Sequence, residues 1–272
     1  MRVSPEQHTG VGLPPVPVRN RTCPHDVAPG VKIDIWSDIV CPFCYIGKRH
    51  LELALDGFEH ADDVEIVWHS YELDPTIEAV PDGTLVEKIA AKYGMTPEQS
   101  QRSQEDIAAR AAEVGLEFNW REAKFGNTFN AHRLVHLAAK HGRATEAHER
   151  LMRAYFTEGV AVGDVNELQR LGEELELPFD ELRELLTGTD YATEVRADEE
   201  QAHSLGISGV PFFVLGEKYA VSGAQPVELF EQALAQTWNE LHGEAGAAST
   251  DSPKAQDAHD HGPSCEGDHC SV

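Results

Sequence analysis

Cys41 and Cys44 stand two residues apart in Cys41-Pro42-Phe43-Cys44. Two thiols at that spacing can form and break a disulfide. Val31, Ile33 and Ile35 alternate with Lys32 and Asp34 before the motif, the period of a strand. Leu51, Ala54, Leu55 and Phe58 follow it at helical spacing. The pair therefore sits at a strand-to-helix turn. A helix start carries unpaired N–H groups and the positive end of a dipole, and both favour a thiolate. Cys41, nearest that start and the solvent, is the expected attacking sulfur. Cys44, one turn into the helix, would resolve the mixed disulfide. The Pro42-Phe43 pair between them tunes thiolate stability, and so a potential that spans on the order of 150 mV among dithiol proteins.

Two other chemistries fit a lone CxxC. One is half of a zinc site, which needs a second ligand pair; none lies in the following ~30 residues. The other is a pair of inert buried cysteines, against which the polar neighbours and the helix start both speak.

Length and composition narrow the field. The 272 residues can hold one sizeable domain with an insertion, or two small ones. With 47 acidic against 22 basic residues the net charge is −25, a surface that repels nucleic acid and anionic lipid. Such an excess suits solvated helix faces or a salt-adapted source. No run approaches the ~20 apolar residues of a membrane span. The first thirty residues are polar and proline-rich without an apolar core, so no signal peptide is visible and a cytoplasmic location is expected. The five cysteines, Cys23, Cys41, Cys44, Cys265 and Cys270, are too few and too scattered for a disulfide framework. They suit a reducing compartment.

The elements that must position the dithiol are legible in outline. Residues 1–30 form an arm. Val64, Ile66 and Trp68 alternate in a second strand, and Asp74-Pro75 breaks the chain. Residues 83–205 read as wholly helical. Thr96-Pro97 with Gln99 makes a helix start, and Gly115 a stop. A helix from Asn127 or Thr128 buries Ala131, Leu134, Val135 and Ala138 and closes at Gly142. Asp164 with Glu167 resembles a capping pair, and further helices fit near 145–157, 178–187 and 190–205. Phe212–Leu215 and Tyr219–Ser222 make a hairpin. Pro226 opens a last helix with Val227, Phe230, Leu234 and Leu241 on one face. Residues 243–272 read as a disordered tail.

From Val31 to about His242 the chain resembles the DsbA-like branch of the thioredoxin superfamily, and within it the FrnE-like group. The residues that carry the resemblance are Ser37-Asp38, Cys41 to Lys48, and Tyr71-Glu72-Leu73-Asp74-Pro75. Further on they are Asn127-Thr128, Ala131-His132-Arg133, Arg153 to Phe156, Gly209 to Phe213, and Ser222 to Pro226. Phe43 stands where many relatives carry tryptophan. The resemblance implies an α/β, thioredoxin-like fold (residues 31–82 and 206–242) with a large all-helical insertion (residues 83–205) covering the dithiol. It implies a cis peptide bond before Pro211, opposite the dithiol, which would open the Val210 backbone N–H and C=O to an extended substrate chain. It implies a protein disulfide oxidoreductase, with some isomerase activity, acting on disulfide- or dithiol-containing proteins or small thiols. The dithiol carries the electrons, so no organic cofactor is required; oligomeric state is not encoded.

Secondary roles stay open between chemistry and packing. Asp38 could move a proton to or from Cys44, or merely bond local backbone; Glu72 is similar. His132 and Arg133 could face the groove and orient an acidic substrate or glutathione, or pack inside. Phe43, Ser222 and Gln225 border the site, and the last helix start could hold a carboxylate, glutathione's included. In the tail, Cys265 and Cys270 match a CX4C pair seen in some FrnE-like proteins, which implies a second dithiol that could exchange with the first. His259, His261 and His269 beside them also suit zinc or copper(I), and an incidental tail is the third reading.

Two other classes fit parts of the chain. Kappa-type glutathione transferases and hydroxychromene carboxylate isomerases share the fold and the insertion. They usually carry serine at the Cys41 position and lack the second cysteine, so both thiols here point away from them. A chaperone or metal buffer acting through the tail is the other.

Overall fold

Alternating apolar residues build β1 (Val31–Ser37), which pairs in parallel with β2 (Val64–Ser70), Ile33 opposite Ile66. The computed structural model describes residues 30–243. Between the two strands runs α1 (Pro42–Asp56), opened by Pro42 in its first turn. On its other edge β1 pairs antiparallel with β3 (Phe212–Leu215), which turns back into β4 (Tyr219–Ser222). The sheet order is β2-β1-β3-β4, and α9 (Val227–Leu241) completes the layer. This is a mixed four-stranded α/β fold, with the strand–helix–strand start and antiparallel hairpin that the resemblance implies.

Seven helices lie between β2 and β3: α2 (Leu85–Tyr93), α3 (Pro97–Glu113), α4 (Phe129–Lys140), α5 (Ala144–Phe156), α6 (Val165–Glu174), α7 (Phe179–Thr187) and α8 (Ala192–Ser204). Thr96 caps α3 in a reciprocal box with Gln99, as the sequence suggests. Thr84 and Glu87 form a second such box at α2. Asp164 caps α6 through the N–H groups of Asn166 and Glu167. The insertion is not wholly helical. Residues 115–128 run as an extended loop in which Leu116, Trp120, Ala123 and Phe125 are buried. Their apolar side chains lack the 3.6-residue period, so they anchor a loop.

The two faces of the sheet are covered differently. Ile33 and Ile35 face the main core with α1 and α9, where the Phe213 and Phe230 rings meet edge to face at 4.8 Å. Trp36, on the opposite face, packs with Ala202 and Ile207 and stacks on His69 at 4.4 Å. That second face is closed by α8. His69 lies between two carboxylates, Nε2 at 2.7 Å from Asp34 Oδ1 and Nδ1 at 2.9 Å from Asp198 Oδ1. Asp198 also accepts from the Ser70 N–H at 2.8 Å and lies 3.1 Å from His136 Nε2.

Burial alone would push the His69 imidazole down, but the bonds to Asp198 and Asp34 outweigh it and hold it above its ordinary value. A histidine raised on folding contributes stability below its unfolded value of about 6.5, and that contribution fades as pH climbs through the folded value. The melting-temperature gap between wild type and His69→Gln is therefore expected to be widest near about pH 6 and to narrow at higher pH. Melting curves across that range check it; a gap that widens with pH contradicts the clasp.

Candidate active site

Cys41 is the N-cap residue of α1. Its N–H donates to the Asp38 carbonyl at 3.2 Å, and its own carbonyl accepts from Cys44 and Tyr45 at 3.1 and 3.3 Å. No acidic residue occupies the first turn, so nothing there offsets the positive end of the helix. The Cys41 thiol donates to the Val210 carbonyl at 3.7 Å. The Val210–Pro211 peptide bond is cis. β3 begins only at Phe212, so the Val210 backbone lies beyond the paired register. Pro211 is buried, and its carbonyl accepts from Gly223 at 2.8 Å. Gly47 lets α1 lie against this loop: a β-carbon there would sit 3.1 Å from Pro211 Cγ and 3.3 Å from Phe213 Cζ.

Among the described residues Cys41 and Cys44 are both free, and no further His, Cys, Asp or Glu side chains join them in a metal-ligand set. Both are buried: Cys44 is 2% exposed, and Cys41, expected to lie nearest the solvent, is 4% exposed beneath the Val210 loop. Burial pushes the Cys44 thiol well above the usual range, and the neighbouring Cys41 pushes the same way. The Ser37 side chain and the Asp38 backbone oppose this by favouring the thiolate. The Ser37 hydroxyl approaches the sulfur without full hydrogen-bond geometry, and Ser37 Oγ is otherwise unpartnered.

Behind the dithiol lies a buried polar group. Asp38 accepts from the Leu73 N–H at 2.8 Å through Oδ2. Its Oδ1 faces His132 Nε2 at 3.4 Å, an ion-pair distance without hydrogen-bond alignment. The Tyr155 hydroxyl is raised first by burial and then by the charges of Asp38 and Cys41. One turn beyond Cys44, buried Lys48 pairs with Glu52 and Glu149, and Glu149 accepts from the Tyr45 hydroxyl at 2.7 Å. Burial would raise the Glu149 carboxyl, but Lys48 and Tyr45 outweigh that and hold it below the ordinary value.

The structure separates the site residues suggested by the sequence. Phe43 is half-buried beside the dithiol, with the Arg110 guanidinium 5.2 Å from its ring. Leu116, Phe118 and Phe156 line an apolar recess against Pro42 and Tyr45. Gln225 braces the turn before α9: its Nε2 donates to the Ser222 carbonyl at 2.8 Å, and its own carbonyl bonds His50 Nδ1 at 2.6 Å. His132 and Arg133 do not face a groove. His132 is 2% exposed against Asp38, and Arg133 donates to the carbonyls of Leu185, Gly188 and Asp190. The reason is that α4 is buried nearly all round, from Ala131 to Val135 and at Leu137 and Ala138. Glu72 is buried too, accepting from Asn127 Nδ2 at 2.9 Å and from Arg196. Cys23, His259, His261, Cys265, His269 and Cys270 lie outside the described residues.

His148 and Glu149 carried no expectation, and Tyr155 none beyond its place in the resemblance. The signal was present: His148 shares the apolar stripe of α5 with Leu151, Met152 and Tyr155, and a polar residue on a buried stripe marks an interior polar group.

Similarity to known proteins agrees with this architecture. Residues 32–235 match the DSBA-like thioredoxin domain family. The YwbO protein of Bacillus subtilis (strain 168) is 29% identical over 210 residues, covering 75% of this chain and 96% of that one. A probable DsbA oxidoreductase of Streptomyces coelicolor superposes with a TM-score of 0.73 at 42% identity, covering 83% of this chain and 95% of that one. The cytosolic disulfide reductase DsbM of Pseudomonas aeruginosa shares the fold at 19% identity, TM-score 0.53, over 77% of this chain and 99% of that one. With the dithiol at the start of α1 and the cis-proline loop facing it, the chain belongs to the DsbA-like thioredoxin-domain family.

Proposed function

We propose that the chain is a cytoplasmic thiol–disulfide oxidoreductase in which Cys41 attacks and Cys44 resolves. One observation carries the reading: a free dithiol with one sulfur at a helix start facing the Val210 carbonyl and the other one turn into that helix. The Cys41 thiolate attacks one sulfur of a substrate disulfide, forms a mixed disulfide and expels the other sulfur as thiolate. Cys44 gives up its proton and attacks Cys41 Sγ. The protein disulfide forms, the second substrate sulfur leaves, and two electrons have passed to the substrate. The reverse sequence oxidises a substrate dithiol, and the two directions together give isomerisation. Position supports this order of events: Cys41 caps α1 and faces the Val210 carbonyl, while Cys44 sits one turn into the helix with its thiol pushed up by burial.

The Val210 backbone docks an extended substrate strand, with Phe43 beside it. Substrates are proteins or small thiols, glutathione included, and no organic cofactor is needed. Nucleic acid and membrane are not partners, in line with the net charge of −25. Cys265 and Cys270 act as a second dithiol that exchanges with the first, or bind zinc together with His259, His261 and His269.

Insulin reduction by dithiothreitol tests the reading. The wild-type chain is expected to accelerate it, and a Cys265→Ser/Cys270→Ser variant to retain chemistry at Cys41 while turning over more slowly with thiol donors. A folded wild type with no acceleration, and no mixed disulfide with glutathione, refutes the reading.

A further inference from the structure

Arg110 stands in the last turn of α3 with its guanidinium over the Phe43 ring, 5.2 Å from the ring centre. Phe43 lies between the two cysteines in the chain, so this cation borders the dithiol. The next residue, Ala111, is buried and lines the recess against Pro42 and Tyr45. The end of α3 is thereby fixed against the first turn of α1, and the Arg110 backbone with it.

The surroundings leave the charge open. Lys48 and Arg49, further along α1, are engaged by Glu52 and Glu149. Arg121 pairs with Glu105 at 3.7 Å, and Lys92 with Asp74 at 3.3 Å. Asp106 and Glu113 stand four residues before and three residues after Arg110 on α3, spacings at which helix partners meet. Neither pairs with it. Among the described residues the Arg110 guanidinium joins no ion pair and donates no hydrogen bond; the Phe43 ring is its neighbour. In a chain with 47 acidic and 22 basic residues, an exposed arginine without an acidic partner needs a reason. The dipole of α3 accounts for a positive charge in its last turn, but not for a guanidinium over Phe43. A guanidinium over a ring keeps its in-plane N–H groups free, and a carboxylate can take two of them in parallel.

We infer that Arg110 is a specificity-determining residue, binding a carboxylate of the substrate while Cys41 attacks the substrate disulfide. The inference rests on the thiol–disulfide reading above and names its substrate class, disulfides with an acid close to the reacting sulfur. The spacing suits this. Cys41 caps α1 and Phe43 lies in its first turn, where one turn rises about 5.4 Å. An extended chain advances about 3.3 Å per residue, so a carboxylate one or two residues from the substrate cysteine spans that turn. No acidic residue occupies the first turn to repel it, and the positive end of the α1 dipole adds to the attraction. The chemistry is unchanged: the Cys41–substrate bond forms, the substrate disulfide breaks, and its second sulfur leaves as thiolate. Arg110 neither gives nor takes a proton.

The test uses the reduced full chain and small disulfides of similar length: anionic dithiodipropionate, neutral bis(2-hydroxyethyl) disulfide and cationic cystamine. Release of the first substrate thiol is timed by rapid quench at a single pH. Arg110→Gln is expected to lower the ratio of the anionic to the neutral rate by about 5-fold. Arg110→Glu is expected to lower it further and to raise the ratio of the cationic to the neutral rate. Arg110→Lys keeps the charge without the planar fork, so it should recover part of the loss. Unchanged ratios in Arg110→Gln overturn the inference and leave the dithiol reading standing. An equal loss on every disulfide, the mark of disturbed packing at Phe43, does the same. If wild type reacts with none of them, both fall. Glutathione disulfide and an acidic cystine peptide then separate the two sources of such a carboxylate: an Arg110→Gln deficit with either supports the inference, and a deficit with neither overturns it. Should Arg110→Gln not fold, the unsubstituted protein decides. Relative to the uncatalysed reaction with dithiothreitol, it must favour dithiodipropionate over the neutral disulfide despite its net charge of −25. Equal or lower preference overturns the assignment.

Discussion

Cys41→Ser reduces insulin turnover to background, while Cys44→Ser leaves the first chemical step intact and stops at the mixed disulfide. The asymmetry follows from the placement of the two sulfurs. Cys41 occupies the N-cap position of α1 and faces the Val210 carbonyl, where an incoming chain would lie. A serine there is far too weak an acid to ionise near neutral pH, so the nucleophile is lost rather than weakened. Cys44 is enclosed, its thiol raised foremost by burial. It does not compete for substrate; its work begins once a neighbouring sulfur has been made electrophilic. Cys44→Ser should therefore accumulate an adduct of one substrate per chain, visible by mass spectrometry and cleared by excess thiol. An inert Cys44→Ser with a fully active Cys41→Ser would invert the assignment.

The second large effect is on stability. Arg133→Leu is expected to cost about 3–5 kcal/mol, read as a lower urea midpoint, while the molecules that remain folded keep their turnover. Arg133 Nη2 donates to the Leu185 carbonyl at 2.6 Å and to Gly188 at 2.9 Å, and Nε donates to Asp190 at 2.6 Å. A fourth bond runs from Nη1 to Asn130 Oδ1 at 2.8 Å. The guanidinium thus ties α4 to the end of α7 and the link to α8. Each buried acceptor stranded by its removal costs roughly 1–3 kcal/mol. Lysine offers one point of attachment in place of a planar fork, so Arg133→Lys should recover only part of the loss. A substrate-orienting arginine would give the opposite pattern: unchanged urea midpoint, raised KM.

Much of this architecture is legible in the sequence because local signals agree there. The alternation in Val31 to Ile35, the Thr96 cap and the hairpin of Phe212–Leu215 with Tyr219–Ser222 are local properties, and the structure repeats them closely. The dithiol is legible as chemistry, whereas the Val210-Pro211 turn, 166 positions beyond Cys44 in the numbering, is legible only through the resemblance. What stays hidden is which element covers which face. Periodicity reports that a side of a helix is buried, and is silent about the partner. Ala131, Leu134 and Val135 mark one apolar stripe of α4. Nothing in their spacing says that the intervening His132 and Arg133 are enclosed as well, one by Asp38 and the other by the α7–α8 link. Residues 115–128 fail for a related reason: their apolar side chains have burial without a period.

The position of β3 beside β1 has a consequence for synthesis. Ile33 pairs with Leu215, so one edge of the central strand must wait for about 175 further residues before its partner exists, on the order of ten to thirty seconds of translation. During that interval the nascent chain already carries Cys41 and Cys44 at a helix start, without the Val210 loop that later stands over them. An unpaired strand edge beside an uncovered dithiol is exposed both to strand addition and to premature disulfide exchange. A half-made chain therefore leaves uncovered the two thiols that the finished molecule encloses to 4% and 2% exposure.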